Sequence, residues 1–248
     1  MEVVVSNIFG TLSSAPDNTI IDKIYKYLAS ILSDFNGKID ENENSMTNRL
    51  CKILSSKKPS EYPFFFHHQN LENDKKNTST DFAVFGTFAY AQENNIDDND
   101  FPSLIKFEAK RLDSGLPAQR EKEYVHGEYA NGKCLKNSGG IERFKNGRHG
   151  KDVTNAGLIG YIQTNTPIYW LEKINSWIEG QIQCASNDNL IWQKTDLLTL
   201  TNQNARLSIY SSIAHRISGD NIYLKHFWID ISNKKKTLQF STKKIFTI

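Results

Sequence analysis

Cysteine is scarce in this chain, and the three present, Cys51, Cys134 and Cys184, stand far apart. They form no Cys-x-x-Cys pair and cannot all pair with one another. A disulfide framework and a structural zinc site are therefore not expected, and a reducing cytoplasmic setting is. Long apolar runs are missing too. Stretches such as Phe64-Phe65-Phe66 fall far short of the roughly 20 residues that span a bilayer. The opening MEVVVSNIFG has no basic region ahead of its apolar residues, so neither a membrane contact nor a signal peptide is expected. There is no Gly-x-Ser-x-Gly elbow and no Gly-x-x-x-x-Gly-Lys-Ser/Thr loop. Serine-hydrolase chemistry loses its signature, and an energy-dependent activity would need a separate ATPase partner. No repeat is visible, and low complexity is confined to Lys234-Lys235-Lys236.

What is present is an ordinary globular composition, 38% hydrophobic and 23% charged over 248 residues, enough for one sizeable domain. The net charge of +2 hides an asymmetry. Residues 1–100 carry 9 Lys and Arg against 15 Asp and Glu, and residues 101–248 carry 21 against 13. A basic second part suits a polyanionic partner.

Apolar residues at helical spacing predict helices over Thr19–Phe35 and Glu41–Ser55, and a later one over Pro167–Ile182. Strands are expected over Tyr62–Gln69, Thr80–Tyr90 (with Gly86 as a bend) and Ser103–Leu112, and again over Leu158–Thr164. Residues 113–150, dense in glycine, lysine and arginine, read as irregular, and Asp152 as the cap of a short helix. Arg206–Ile217 and Asn221–Ser232 alternate like two strands joined at Ser218-Gly219-Asp220. The expected class is α/β, a central mixed sheet flanked by helices with a C-terminal β-hairpin extension.

The residues that carry chemistry are Asp81, in TSTDFAVFG, and Glu108 with Lys110, in LIKFEAKRL. Alternate strand residues share a face, so Glu108 and Lys110 are neighbours, and strand pairing can bring Asp81 opposite them. Charges set among Ile105, Phe107, Ala109 and Leu112 lose solvation heavily, so they form either an ion pair or a metal site. Asp81 and Glu108 offer hard oxygen ligands suited to Mg²⁺, and the Ala109 carbonyl a third. Lys110 would orient the attacking water and neutralise developing charge.

This arrangement resembles the PD-(D/E)xK nuclease superfamily, the restriction-endonuclease-like enzymes. Their core is a helix, three antiparallel strands, a helix and a fourth strand, and the order here fits it over about residues 41–165. The resemblance implies a single nuclease domain over 1–248, with residues 166–248 as extension. It implies an acid on the first core helix, a role Glu43 fits, with Glu41 as competitor. Thr80 stands where the family usually has proline, and the acidic stretch 92–101 accounts for the long gap from Asp81 to Glu108. The implied activity is Mg²⁺- or Mn²⁺-dependent hydrolysis of phosphodiester bonds, DNA preferred. The implied setting is a bacterial restriction or phage-defence system, acting as a homodimer or with a helicase or other motor subunit.

Arg111 and Arg120 are expected to follow the nucleic-acid backbone, and Arg143, Lys145, Arg148 and His149, in GGIERFKNGRHG, to hold phosphates with glycine-freed backbone NH groups. Glu123 is a lesser candidate. His67 and His68 are placed to pair with Asp81 across the sheet. Aromatic and basic residues of the last hairpin, among them His215, Arg216, Lys225, His226 and Trp228, suit either a nucleic-acid groove or, for the tryptophans, the core. Two other readings use the same residues: an RNA-cleaving toxin, or an inactive nuclease-like binding module whose charges are only an ion pair.

Overall fold

Ile21, Ile24, Leu28 and Leu32 recur at helical spacing and line one buried stripe of the first helix, α1 (Thr19–Ser33). Burying each of the three fully enclosed side chains, Ile24, Leu28 and Leu32, contributes about 1.5–3 kcal/mol. The second helix, α2 (Glu43–Lys57), starts where the Asn42 side chain accepts a hydrogen bond from the Ser45 amide at 2.9 Å. That cap fixes Glu43 in the first turn. The computed structural model describes residues 19–73, 78–97, 101–130, 133–136, 138–183 and 190–232. Cys184 and Lys234–Lys236 lie outside the described residues.

The remaining elements are β1 (Phe64–Asn73), β2 (Thr78–Gly86), α3 (Phe88–Glu93), β3 (Ser103–Leu112), a 3₁₀ turn at Ala118–Arg120, β4 (Glu128–Ala130), β5 (Lys133–Lys136), α4 (Gly140–Lys145), β6 (Asn155–Ile162), α5 (Pro167–Gln183), a second 3₁₀ turn at Lys194–Asp196, β7 (Thr199–Gln203), β8 (Leu207–His215) and β9 (Asn221–Asp230). The class is α/β. Seven strands form one mixed sheet in the order β1-β2-β3-β6-β9-β8-β7. The first three are antiparallel, β3, β6 and β9 run parallel, and β9, β8 and β7 are antiparallel again. α1 and α2 cover one face, packing on Phe82, Phe107, Ala109 and Phe227. α4 and α5 contribute to the core on the other, with Leu158, Ile162 and Trp228.

Several expectations need correction. β2 stops at Gly86 instead of reaching Tyr90. Thr87 caps α3 through its hydroxyl, and a Cβ on Gly86 would strike the Tyr90 ring at 2.3 Å. The stretch 113–150 is not irregular, since it holds a 3₁₀ turn, a hairpin and α4. Asp152 caps no helix; its carboxylate pairs with Lys106 at 2.5 Å and accepts from Ser103 at 2.9 Å. The C-terminal hairpin expected as an extension joins the central sheet, where β9 lies in register beside β6 from Asn155–Tyr223 to Ile162–Asp230.

One close approach positions the site strand. A Cβ on Gly157 of β6 would lie 2.1 Å from the Phe107 ring, and Phe107 itself stacks on Phe82 at 4.4 Å. Glycine at 157 therefore lets the aromatic floor of β2 and β3 continue under β6.

Candidate active site

Alternation divides β3 cleanly. Ile105, Phe107 and Ala109 belong to the core under α1 and α2, while Lys106, Glu108 and Lys110 face the α4 side. All three charged residues are buried. Each is therefore obliged to find a partner.

Lys106 meets Glu72 of β1 at 3.1 Å and Asp152 at 2.5 Å. Two residues on, β2 and β3 part. Their paired residues end at Phe82 and Phe107, one step short of Asp81 and Glu108. There the Asp81 carboxylate replaces the missing ladder, accepting from the Ala109 amide through Oδ2 at 2.6 Å. On the neighbouring strand Gln69, between the pairs His68–Phe82 and Asn70–Thr80, adopts φ 53°. Such a left-handed residue within a strand marks a local irregularity of the backbone opposite Asp81.

Lys110 Nζ donates to Glu108 Oε1 at 2.8 Å, to the Ala109 carbonyl at 2.8 Å and to Glu43 Oε1 at 3.3 Å. Glu43 reaches over from α2 and also accepts from the Arg111 amide at 3.1 Å. Asp81, Glu108, Lys110 and Glu43 thus meet at one point. Glu41 does not join them; it pairs with Arg49 at 2.5 Å.

Glu108 gathers further partners besides Lys110. Arg143 Nη1 donates to its Oε1 at 2.5 Å, and His149 Nδ1 lies 3.0 Å from its Oε2. Burial alone would raise its carboxyl, but Lys110, His149 and Arg143 outweigh burial and hold it below the usual range. Burial likewise works against the Lys110 ammonium, and Glu108, Glu43 and Asp81 together drive its pKa up. Asp81 fares differently. Burial, then the Glu108 charge, push its carboxyl up to about 7, against the opposing pull of Lys110. Glu43 is raised by burial too, with Glu123 and Glu108 adding to the effect and Lys110 opposing it.

These residues line a cleft of about 350 Å³. Its walls carry five carboxylates (Glu43, Asp81, Glu108, Glu123 and Glu128) and three cations (Lys110, Arg120 and Arg143). With every group ionised the cleft holds excess negative charge. Among the described residues no three His, Cys, Asp or Glu side chains converge as a metal cage. The donors that fit a hard cation are Asp81, Glu108 and the Ala109 carbonyl. Few protein oxygens with waters completing the shell is the arrangement Mg²⁺ favours. A groove of about 430 Å³ between α1 and the last hairpin carries only Asp22 and Lys225 as charged residues, and assembles no comparable chemistry.

The basic residues sort differently from expectation. Arg120 lines the cleft but is bound to Glu123 at 2.7 Å, and Arg143 lines it as described. Arg111 sits at the strand end, its amide on Glu43, and Arg148 is exposed. Lys145 is a correction: it is fully buried and paired with Asp196 at 2.7 Å, beyond reach of any phosphate. His149 is a second: it is buried against Glu108, not presented to substrate. The glycine-rich stretch is a third. The amides of Gly140, Ile141 and Glu142 donate to the carbonyls of Glu123, Tyr124 and Val125, and the Gly139 and Gly127 amides to the Glu142 carboxylate. Gly139 is glycine for space, since a Cβ there would lie 2.2 Å from the His126 backbone.

His67 and His68 stand opposite Ala83 and Phe82, and neither is brought to Asp81. The last hairpin offers no groove through His226 or Arg216. His226 is buried between Tyr124 and Ser212, and Arg216 binds the carbonyls of Gly150 and Val153. Trp170, Trp192 and Trp228 are core residues, with Trp177 packed against them. Sequence reasoning missed Glu128 and Ser138 in the cleft, and missed Glu142 and Asp196, whose partners are distant in sequence or are backbone amides. No helix among the described residues is long and apolar enough to cross a membrane. No family model, no curated protein and no solved structure matches this chain.

Proposed function

We propose that this chain is a metal-dependent nuclease of the PD-(D/E)xK, restriction-endonuclease-like kind, hydrolysing phosphodiester bonds in DNA. The observation that carries the reading is the convergence of Asp81, Glu108, Lys110 and Glu43 in one acid-rich cleft. The order α2, antiparallel β1–β3, α4 and then β6 parallel to β3 supports the fold half of the reading. Asp81, Glu108 and the Ala109 carbonyl would hold Mg²⁺ or Mn²⁺. When bound, the cation supplies Lewis-acid polarisation of the phosphate and a more acidic water. Lys110, fixed at three points, orients the attacking water and offsets charge on the transition state. Glu43 holds Lys110 in place. Arg120 and Arg143 are the cleft guanidiniums suited to the flanking phosphates. A place in a bacterial restriction or phage-defence system rests on the family resemblance alone.

The test is incubation of the purified chain with plasmid DNA and, separately, total RNA, in Mg²⁺ or Mn²⁺ and in EDTA. Cleavage of DNA is expected only with metal, and Lys110→Ala or Glu108→Ala should lower it about a hundredfold or more. Cleavage that survives both substitutions sinks the proposal. A second reading, an inactive binding module, is favoured by the two cationic donors and the imidazole gathered on Glu108, which is how a purely structural ion cluster would also look. It predicts nucleic-acid binding without cleavage in either metal.

A further inference from the structure

Glu108 is 1% exposed, with Lys110, Arg143 and His149 gathered around its carboxylate. Lys110 Nζ and Arg143 Nη1 converge on the same atom, Oε1, while His149 Nδ1 sits at Oε2. A cation held by Glu108 competes with these groups for the carboxylate. The three are not equally free to yield. Lys110 is bound at three points and buried. His149 is 2% exposed, packs edge-on against Phe144, and donates its amide to the Arg143 carbonyl. Arg143 alone keeps appreciable side-chain exposure, 25%, and lines the cleft.

The backbone under Arg143 is fixed while its side chain has room. Ile141 and Phe144 are in the core, and Lys145 bolts α4 to Asp196. A guanidinium that leaves Glu108 therefore stays in the cleft. It carries five N–H donors in a planar fork that matches two phosphate oxygens.

We infer that Arg143 is an exchangeable occupant of Glu108: it neutralises the carboxylate in the cation-free protein, and is handed to a substrate phosphate when a divalent cation takes its place. The inference rests on the metal-dependent reading of the site and adds to it a coupling between cation and phosphodiester. Removing Arg143 removes a competitor of the cation and a ligand of the phosphate, so the two affinities move in opposite directions. A guanidinium that merely braced Glu108 would, on removal, weaken cation binding instead.

The experiment is calorimetric titration of the full chain with Mn²⁺, without nucleic acid, for wild type, Arg143→Ala and Arg143→Lys. A fluorescent oligodeoxynucleotide is titrated in parallel with and without Ca²⁺. Arg143→Ala should bind Mn²⁺ at least about fivefold more tightly, the lower end of ordinary coupling between sites. It should also lose the Ca²⁺-dependent gain in oligonucleotide affinity that wild type shows. Arg143→Lys retains a cation for Glu108 without the fork. It should hold Mn²⁺ affinity near wild type while weakening the oligonucleotide gain, and it serves as the folded comparison if the alanine variant melts early. Mn²⁺ affinity unchanged or weaker in Arg143→Ala, with wild type binding Mn²⁺ and cutting DNA, overturns the inference and leaves the nuclease reading standing. Wild type that neither binds Mn²⁺ nor cuts DNA overturns both.

Discussion

Two buried charge clusters lie on opposite sides of α4, and they are built on opposite plans. Arg143 and Lys145 are two residues apart, about 200° around a helix axis. Lys145 meets a single partner, Asp196, with both side chains 0% exposed. Arg143 joins a cluster in which Glu108, Glu43 and Asp81 share Lys110 and open on a cleft. In the sealed pair burial wins on both sides: it lowers the Lys145 pKa and raises that of Asp196, each against the attraction of the other. In the open cluster neighbours overcome burial at Glu108 and Lys110, while burial still raises the carboxyls of Asp81 and Glu43. Buried charge alone therefore does not mark a site. An excess of one sign beside a cleft does.

The comparison is broken most directly at the sealed pair. Asp196→Ala leaves an ammonium buried beside Trp192 with no counter-ion, which should cost about 3–5 kcal/mol. Lys145→Met with Asp196→Leu replaces charge by apolar volume and should recover most of that loss. Urea unfolding followed by circular dichroism measures both. If Asp196→Ala unfolds within about 1 kcal/mol of wild type, the pair does not anchor α4.

The open cluster should answer through pH. Asp81 has a folded pKa of about 7 against an ordinary 3.8. Its contribution to stability is fully present below the ordinary value and is lost as pH rises through about 7, because the folded state must then release a proton it holds preferentially. Asp81→Asn keeps a neutral group that accepts from the Ala109 amide at every pH. In EDTA its melting temperature should rise relative to wild type by a few degrees between about pH 5 and about pH 8.5. A difference that stays constant across that range would show that Asp81 is already ionised in the folded chain.

These contrasts also separate what the residues reveal in order from what they reveal only when folded. SLIKFEAKRL carries its own alternation, and β3 spans Ser103–Leu112 as read. Asp81 could be set against Glu108 because two adjacent strands need only a register. The basic loop could not be read that way. Arg143 finds Glu108 from 35 residues away and Lys145 finds Asp196 from 51, and nothing local distinguishes either from a solvated cation. Glycines 139 and 140 suggested free amides, but their room is taken by residues 123–126. β7 gave no signal because all five of its residues are exposed, so no alternation of burial shaped its sequence. The parallel pairing of β9 with β6 was likewise hidden, since a hairpin pattern fixes only the two strands it joins.

The smallest effect is expected where two glutamates compete for one role. Glu41 and Glu43 are two residues apart, and the Asn42 cap between them decides their directions. Glu43 begins the helix and reaches Lys110 and the Arg111 amide. Glu41 stays outside and binds Arg49, whose guanidinium also donates to the Asn36 carbonyl at 2.8 Å and lies 4.6 Å from the Phe35 ring centre. That pair is partly exposed, so Glu41→Gln should cost no more than about 1 kcal/mol and leave metal-dependent cleavage unchanged. Glu43→Gln keeps the volume and removes a charge facing Lys110, so it should reduce cleavage about tenfold while barely moving the melting temperature. The two variants in one plasmid assay decide between the carboxylates. Equal losses would mean that the helix cap does not set which acid serves the cleft.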